Sequence, residues 1–194
     1  ELGEFYGCSL VTVRRALDEL VREGQIYRVR GRGTFVSESP VERQLAELTS
    51  FTAEMAVRGL EPRTVVLTQE VTESTPSTAD RLGIASGLPG YSIERLRIAG
   101  DEPLLLEHVF LPEYLFPGLL SLDLGSSSLY THLSQRFGVD LVSGHQTIQP
   151  ALPSAREAAL LKQERSEPVL LIRLISHNAD GRPIEYCRTV VKGS

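Results

Sequence analysis

The chain has 194 residues, 41% of them hydrophobic and 23% charged, with a formal net charge of −5. This is the composition of one large or two modest globular domains, not of a disordered or fibrous chain. No apolar run approaches the roughly 18 residues needed to cross a bilayer, and Cys8 and Cys187 are too few and too isolated for a disulfide framework or a cysteine metal site.

In chain order, the first informative segment is Ser9 to Val36. Leu10, Val13, Leu17, Leu20 and Val21 recur at helical spacing and predict one apolar helix face, while Thr12, Arg15, Glu19 and Arg22, with Arg14 beside them, form a polar stripe. Gly24 is the expected helix stop. Ile26 to Val29 and Thr34 to Val36 then read as two short strands around Arg30-Gly31-Arg32-Gly33. A groove-sized helix beside a cationic loop is what duplex DNA recognition needs, since the helix can reach base edges and the loop can follow phosphates. The same pattern also describes a solvated surface helix. Charge favours the first reading: residues 1–36 carry six basic and five acidic residues, residues 37–194 carry 14 and 20, so a basic-leaning head is joined to an acidic body.

Ser37-Glu38-Ser39-Pro40 looks like a hinge. Beyond it, helices are expected at Phe51–Arg58, Thr78–Leu82, Leu129–Phe137 and from Ser154, where Ser154 and Glu157 make a capping-box pattern. Strands are expected at Arg63–Val71, Tyr91–Ile98, Leu104–Leu111, Ser143–Ala151, Val169–His177 and Ile184–Val191, with hairpin turns at Gly100-Asp101 and Asp180-Gly181. Hairpins outnumber any strand–helix–strand pattern, so an antiparallel-sheet α+β domain follows. The expected boundaries are 1–36 for the head, 37–45 for a linker and 46–194 for the body.

Side chains alternate along a strand, so Arg95 and Arg97 share a face, about 7 Å apart. They are either the wet face of a half-exposed strand or a fork for a carboxylate or phosphate. Glu107 has two registers open to it. A plain two-residue turn between Ala99 and Glu102 puts it opposite Glu94, away from the arginines, and a one-residue bulge turns it onto their face. The four histidines, His108, His132, His145 and His177, are scattered. No nucleophile–base pair, phosphate loop or metal-ligand spacing is visible, so neither cofactor nor metal is expected.

The head resembles the winged helix-turn-helix of the GntR regulators through Thr12-Val13-Arg14, Ala16-Leu17, Leu20, Glu23-Gly24 and the wing Arg30-Gly31-Arg32-Gly33-Thr34-Phe35-Val36, with Glu1 to Cys8 matching the preceding helix and turn. The resemblance implies a partial winged helix, lacking a helix before Glu1, and a DNA face at Ser9, Thr12, Arg14, Arg15, Arg30, Gly31, Arg32 and Gly33. Leu10 stands where the family commonly has arginine. From about Leu45 to Lys192 the body resembles the UTRA effector domain of the HutC branch. The matching residues are Leu48 to Thr52 with Met55 and Arg58-Gly59, then Glu94 to Arg97, Glu102-Pro103-Leu104, Glu107, Phe116-Pro117-Gly118, Ser128-Leu129-Tyr130, Gly181 to Tyr186 and Arg188. That resemblance implies an anion site at Ser50, Phe51, Arg95, Arg97, Ser128 and Tyr130, with Glu107 and Glu185 on the rest of the ligand, and Val191 replaces a frequent tyrosine. It also implies the chorismate lyase fold, which keeps a small-molecule lyase as the rival reading. The favoured reading is a cytoplasmic, homodimeric transcription regulator, a repressor of an inverted-repeat operator on double-stranded DNA, released by a small anionic metabolite such as a phosphorylated sugar.

Overall fold

The computed structural model describes residues 2–22, 25–29, 31–36, 41–45 and 48–193. The chain divides into two compact units, Glu1–Pro40 and Val41–Ser194. The expected hinge at residues 37–40, the helix stop Gly24 and the wing residue Arg30 lie outside the described residues.

The first unit holds α1 (Leu2–Tyr6), α2 (Leu10–Arg22) and a two-stranded hairpin of β1 (Ile26–Val29) and β2 (Gly33–Val36). Ser9 opens α2: its Oγ accepts from the Thr12 backbone N–H at 3.1 Å, which satisfies one of the unpaired donors of the first turn. Val13, Leu17, Leu20 and Val21 are partly buried as their spacing predicts, whereas Leu10 stays 70% exposed and does not join that face. Tyr27 and Phe35 face each other across the hairpin and stack with centroids 5.5 Å apart.

The second unit is built on a seven-stranded, wholly antiparallel sheet. Its strands are β3 (Val41–Leu45), β4 (Pro62–Glu73), β5 (Pro89–Ala99), β6 (Glu102–Pro112), β7 (Leu141–Ala151), β8 (Val169–Asn178) and β9 (Pro183–Lys192), in the spatial order β3-β7-β8-β9-β6-β5-β4. The helices are α3 (Phe51–Val57), α4 (Pro76–Leu82), α5 (Leu129–Phe137) and α6 (Ala155–Leu161). Val41–Leu45, expected as the end of a linker, is instead an edge strand paired with β7 from Val41↔Ile148 to Leu45↔Gly144. Four of its five residues are exposed, so backbone pairing rather than a buried face holds it, and a segment with no apolar alternation gives no strand signal.

Two cores lie on opposite faces of the sheet. On one, Tyr91, Ile93, Val109 and Leu111 pack with Leu129 and Leu133 of α5 and with Phe116, Leu119 and Leu124 of the irregular segment before it. On the other, Leu106, Leu171 and Val190 pack with Leu161 of α6. Each of these side chains contributes about 1.5–3 kcal/mol by leaving water. Helix α5 stops where expected, with Gly138 in the left-handed region at φ 65°, and the capping box at Ser154 and Glu157 is formed in both directions.

No helix among the described residues is long and apolar enough to cross a membrane. One position tests the packing. A Cβ on Gly90 would lie 2.1 Å from the Phe110 ring, which is itself only 5% exposed and cannot swing away. Gly90→Ala is expected to cost about 1–3 kcal/mol of stability by overpacking, read as a lowered midpoint in urea unfolding with an unchanged slope. An unshifted midpoint would show that the ring has room to move.

Candidate functional site

Arg95 and Arg97 point to the same face of β5, together with Ile93 and Tyr91, and that face is the α5 core face. They are not a wet strand surface: Arg95 is 2% exposed and Arg97 4%. Two bulges shape what they meet. Between β5 and β6 the register runs Ala99↔Glu102 and Ile98↔Pro103, then shifts so that Arg97 faces Leu105 and Arg95 faces Glu107. Leu104 is the extra residue. The bulged alternative left open by the sequence is the one realised, and it turns Glu107 onto the arginine face. A second shift, between Val66 and Thr68, follows the pairing of Thr64 with Arg97 on β4.

The resulting contacts are tight. Glu107 Oε1 receives Arg95 Nη2 at 2.5 Å, and Arg97 Nε at 2.9 Å and Nη2 at 2.7 Å. Arg97 Nη1 donates to Thr64 Oγ1 at 2.7 Å, and its guanidinium lies over the Phe51 ring, 5.3 Å from the centroid, a cation–π geometry. Burial pushes the Arg97 pKa below its ordinary value, with Glu107 opposing the shift and Arg95 adding to it. Arg95 differs from its neighbour. Its Nε and Nη1 are buried and have no hydrogen-bond partner, a costly state for a charged donor.

Glu185 lies on β9, one strand beyond β6 in the sheet, and is 1% exposed. Its Oε2 accepts from Tyr130 Oη at 2.9 Å and from Ser176 Oγ at 2.7 Å. Burial raises its carboxyl pKa above the usual range, partly offset by those two hydroxyls, while Glu107 raises it further and Arg95 lowers it. Tyr130 is pushed well above its ordinary value, first by burial and then by the charge of Glu185. Cys187 is buried on the same face, its thiol pKa raised well above the ordinary value by burial, and its Sγ is 3.5 Å from Thr189 Oγ1.

The structure thus brings Phe51, Arg95, Arg97 and Glu107 into one contact set and Tyr130 and Glu185 into a second on the same sheet face. Ser50 is a helix cap, accepting from the Ala53 N–H at 3.2 Å. Ser128 is the N-cap residue of α5, 9% exposed, with no side-chain capping hydrogen bond, so its hydroxyl is not committed to the helix. Thr64 and Ser176 belong to these contact sets and escaped the sequence reading. Their signal was register: each faces a site residue across a strand pair, Thr64 opposite Arg97 and Ser176 opposite Glu185.

In the first unit, Ser9, Thr12, Arg14 and Arg15 are all exposed at the start of α2, and Ser9 Oγ lies 2.9 Å from Thr12 Oγ1. The wing turn keeps Gly31 at φ 75° and Gly33 at φ 119°, with Arg32 exposed between them. Arg28 of β1 is tied to Asp18 of α2 at 2.6 Å. That leaves Arg14, Arg15 and Arg32 as the exposed cations of the face among the described residues; Arg30 falls outside them.

The histidines are dispersed as expected. Ser92 Oγ lies 2.7 Å from His108 Nε2, and Ser127 Oγ lies 2.6 Å from His132 Nε2, which is also 3.0 Å from the Asp123 carbonyl oxygen. Among the described residues no group of three or more His, Cys, Asp or Glu converges as a metal site.

Comparison with known proteins gives the family. Residues 57–194 match the UTRA domain and residues 1–36 match the family of bacterial regulatory proteins named gntR. The chain is 34% identical over 193 residues to the HTH-type transcriptional repressor NagR of Bacillus subtilis, covering 100% of this chain and 79% of that protein. It is 28% identical over 192 residues to a probable fructoselysine utilization operon transcriptional repressor of Escherichia coli, covering 97% of this chain and 79% of that protein. The crystal structure of PhnF from Mycobacterium smegmatis superimposes with a TM-score of 0.71 at 31% identity, over 98% of this chain and 84% of that one. These relatives are regulators of transcription, which decides against the lyase reading. The chain belongs to the GntR family of bacterial transcription regulators, in the HutC branch that pairs a winged helix with a UTRA domain.

Proposed function

We propose that this DNA-binding regulator is a cytoplasmic, homodimeric repressor of an inverted-repeat operator, and that a small anionic effector bound in the UTRA domain releases it. The observation that carries the effector reading is Arg95: a guanidinium 2% exposed, two of whose nitrogens have no hydrogen-bond partner. A buried charge with open donors is stabilised by an anion that fills them. Ser50, Phe51, Arg97, Ser128 and Tyr130 complete the anion site in this reading, and Glu107 and Glu185 accept hydrogen bonds from the remainder of the effector. Two carboxylates suit hydroxyl or amino groups, and a relative named for fructoselysine utilization supports a sugar-like molecule, whose anionic group in this reading is a phosphate.

On the DNA side, Thr12, Arg14 and Arg15 of α2 are assigned to the major groove with Ser9 at their head, and Arg30, Gly31, Arg32 and Gly33 to the phosphate backbone. A two-fold protein reads a two-fold site, with half-sites about one helical turn apart. In gel shifts, Arg14→Ala is expected to weaken specific binding by about 1–3 kcal/mol, and Arg32→Ala to weaken binding to all sequences and lower the salt slope by about one. Unchanged affinity in both variants would remove α2 and the wing from the DNA face.

Effector and operator are expected to oppose each other. An effector shifts the equilibrium only by its differential affinity for the two states, typically about 1–3 kcal/mol, and operator DNA must weaken effector binding by the same factor. Arg95→Gln is expected to leave operator affinity intact and to abolish release by the effector. The check is calorimetry of the effector found in a phosphosugar screen, with and without operator. Equal affinities in the two states would exclude coupling, and retained effector affinity in Arg95→Gln would exclude the arginine as the anion's partner.

A further inference from the structure

We propose that Glu107 is a resident counter-anion: it occupies the place of the effector's anionic group in the unliganded site, and so makes the site select dianions over monoanions. The proposal rests on the reading of this face as an anion-binding site.

Three N–H groups of two different arginines converge on one oxygen, Glu107 Oε1, at 2.5 to 2.9 Å. That is the way a bound anion is held, supplied here by the chain itself. It is not a by-product of strand pairing, because the unbulged hairpin would turn Glu107 to the opposite face. The extra residue Leu104 exists in the pairing only between Pro103 and Leu105, and its effect is to bring this carboxylate to Arg95 and Arg97.

The arrangement is also incomplete. Two guanidiniums share one carboxylate, and Glu185, the other acid nearby, spends Oε2 on the hydroxyls of Tyr130 and Ser176. Arg95 Nε and Nη1 stay without a partner, which a purely structural ion pair would be expected to satisfy. An incoming carboxylate offers one charge and two oxygens. Glu107 already offers those, at the high effective concentration of a tethered group, so a monoanion gains nothing by displacing it. A tetrahedral dianion such as a phosphate monoester offers two charges and three oxygens. It can span both guanidiniums, fill the open donors of Arg95 and match the two positive charges that Glu107 alone leaves half-balanced. Glu107 is then released, on the same face, to accept hydrogen bonds from the effector's remainder.

The test uses inorganic phosphate and acetate, which have no remainder to contact Glu107, titrated by calorimetry into the whole chain. In Glu107→Gln both anions are expected to bind at least about tenfold tighter, the size of effect one neighbouring charge has on an ionic equilibrium. Acetate gains more than phosphate, so the preference for phosphate narrows. Glu107→Asp keeps the charge but withdraws it by one methylene, and is expected to fall between wild type and Glu107→Gln. If Glu107→Gln folds poorly, the Asp variant and the rise in thermal midpoint with added phosphate carry the comparison. Unchanged or weaker anion binding in both variants overturns the counter-anion role. Phosphate binding that survives Arg95→Gln, or that is absent from wild type and Glu107→Gln alike, overturns the anion-site reading and this inference with it.

Discussion

Two guanidinium groups stand side by side in the apolar interior face of a sheet, and everything distinctive about the second unit answers to them. A charge that deep is tolerated only when it is paired and hydrogen-bonded. Arg97 receives the fuller treatment, with Glu107, the Thr64 hydroxyl and the Phe51 ring around it. Arg95 receives less. The asymmetry between two residues of the same type, two positions apart on one strand, is what the effector reading rests on.

The surroundings hold the pair rigidly. Tyr91 and Ile93 continue the arginine face into the core of Leu129, Leu133 and Phe116, so the strand that presents the guanidiniums is fixed by apolar contacts at its other end. On the far face, Arg156 pairs with Glu94 in a two-pronged contact at 2.5 and 2.6 Å, and Arg188 pairs with Glu157 at 2.8 Å. A third arginine of that face, Arg173, is buried opposite Arg188 and reaches the Gln149 side chain at 3.4 Å. On the α5 face, two cations share one anion, Glu107.

Much of this was legible in the sequence. Strong alternation and turn residues placed six of the seven body strands, and Gly138 and the Ser154–Glu157 pattern placed the ends of α5 and α6. Strand β3 was not legible, because Glu42, Arg43 and Gln44 carry no apolar period and the strand is held by its backbone. The choice of face for Glu107 was not legible either. Alternation fixes which residues of one strand share a side, but relating two strands needs their register, and a bulge at a nondescript Leu104 leaves no compositional mark. Thr64 and Ser176 were missed for the same reason. Exposure was also beyond reach: the Arg-x-Arg spacing is equally that of a wet strand, and only the packing of α5 and α3 over it decides. In the head, helix and wing were plain, while the Arg28–Asp18 pair depends on a contact between two elements, by residues ten apart in the chain.

The bulge at Leu104 has a bearing on how this domain can change length. Hairpin tips are ordinarily where chains gain and lose residues at little cost, since the turn sits in solvent and the strands beyond it are indifferent. Here the arms of the β5–β6 hairpin are not indifferent. Loss of Leu104 itself would leave the turn at Gly100-Asp101 intact and pair Pro103 and Leu105 with Ile98 and Arg97 without a bulge, so that Glu107 would stay opposite Arg95. A slip of register is the costly event: were Leu104 drawn into the ladder opposite Arg97, Glu107 would move to the side of Glu94, and Leu106 would leave the core it shares with Leu161. The bulge is therefore a one-residue reserve: this hairpin can shorten by one residue without changing which side chains face the arginines, whereas its register cannot slip by one.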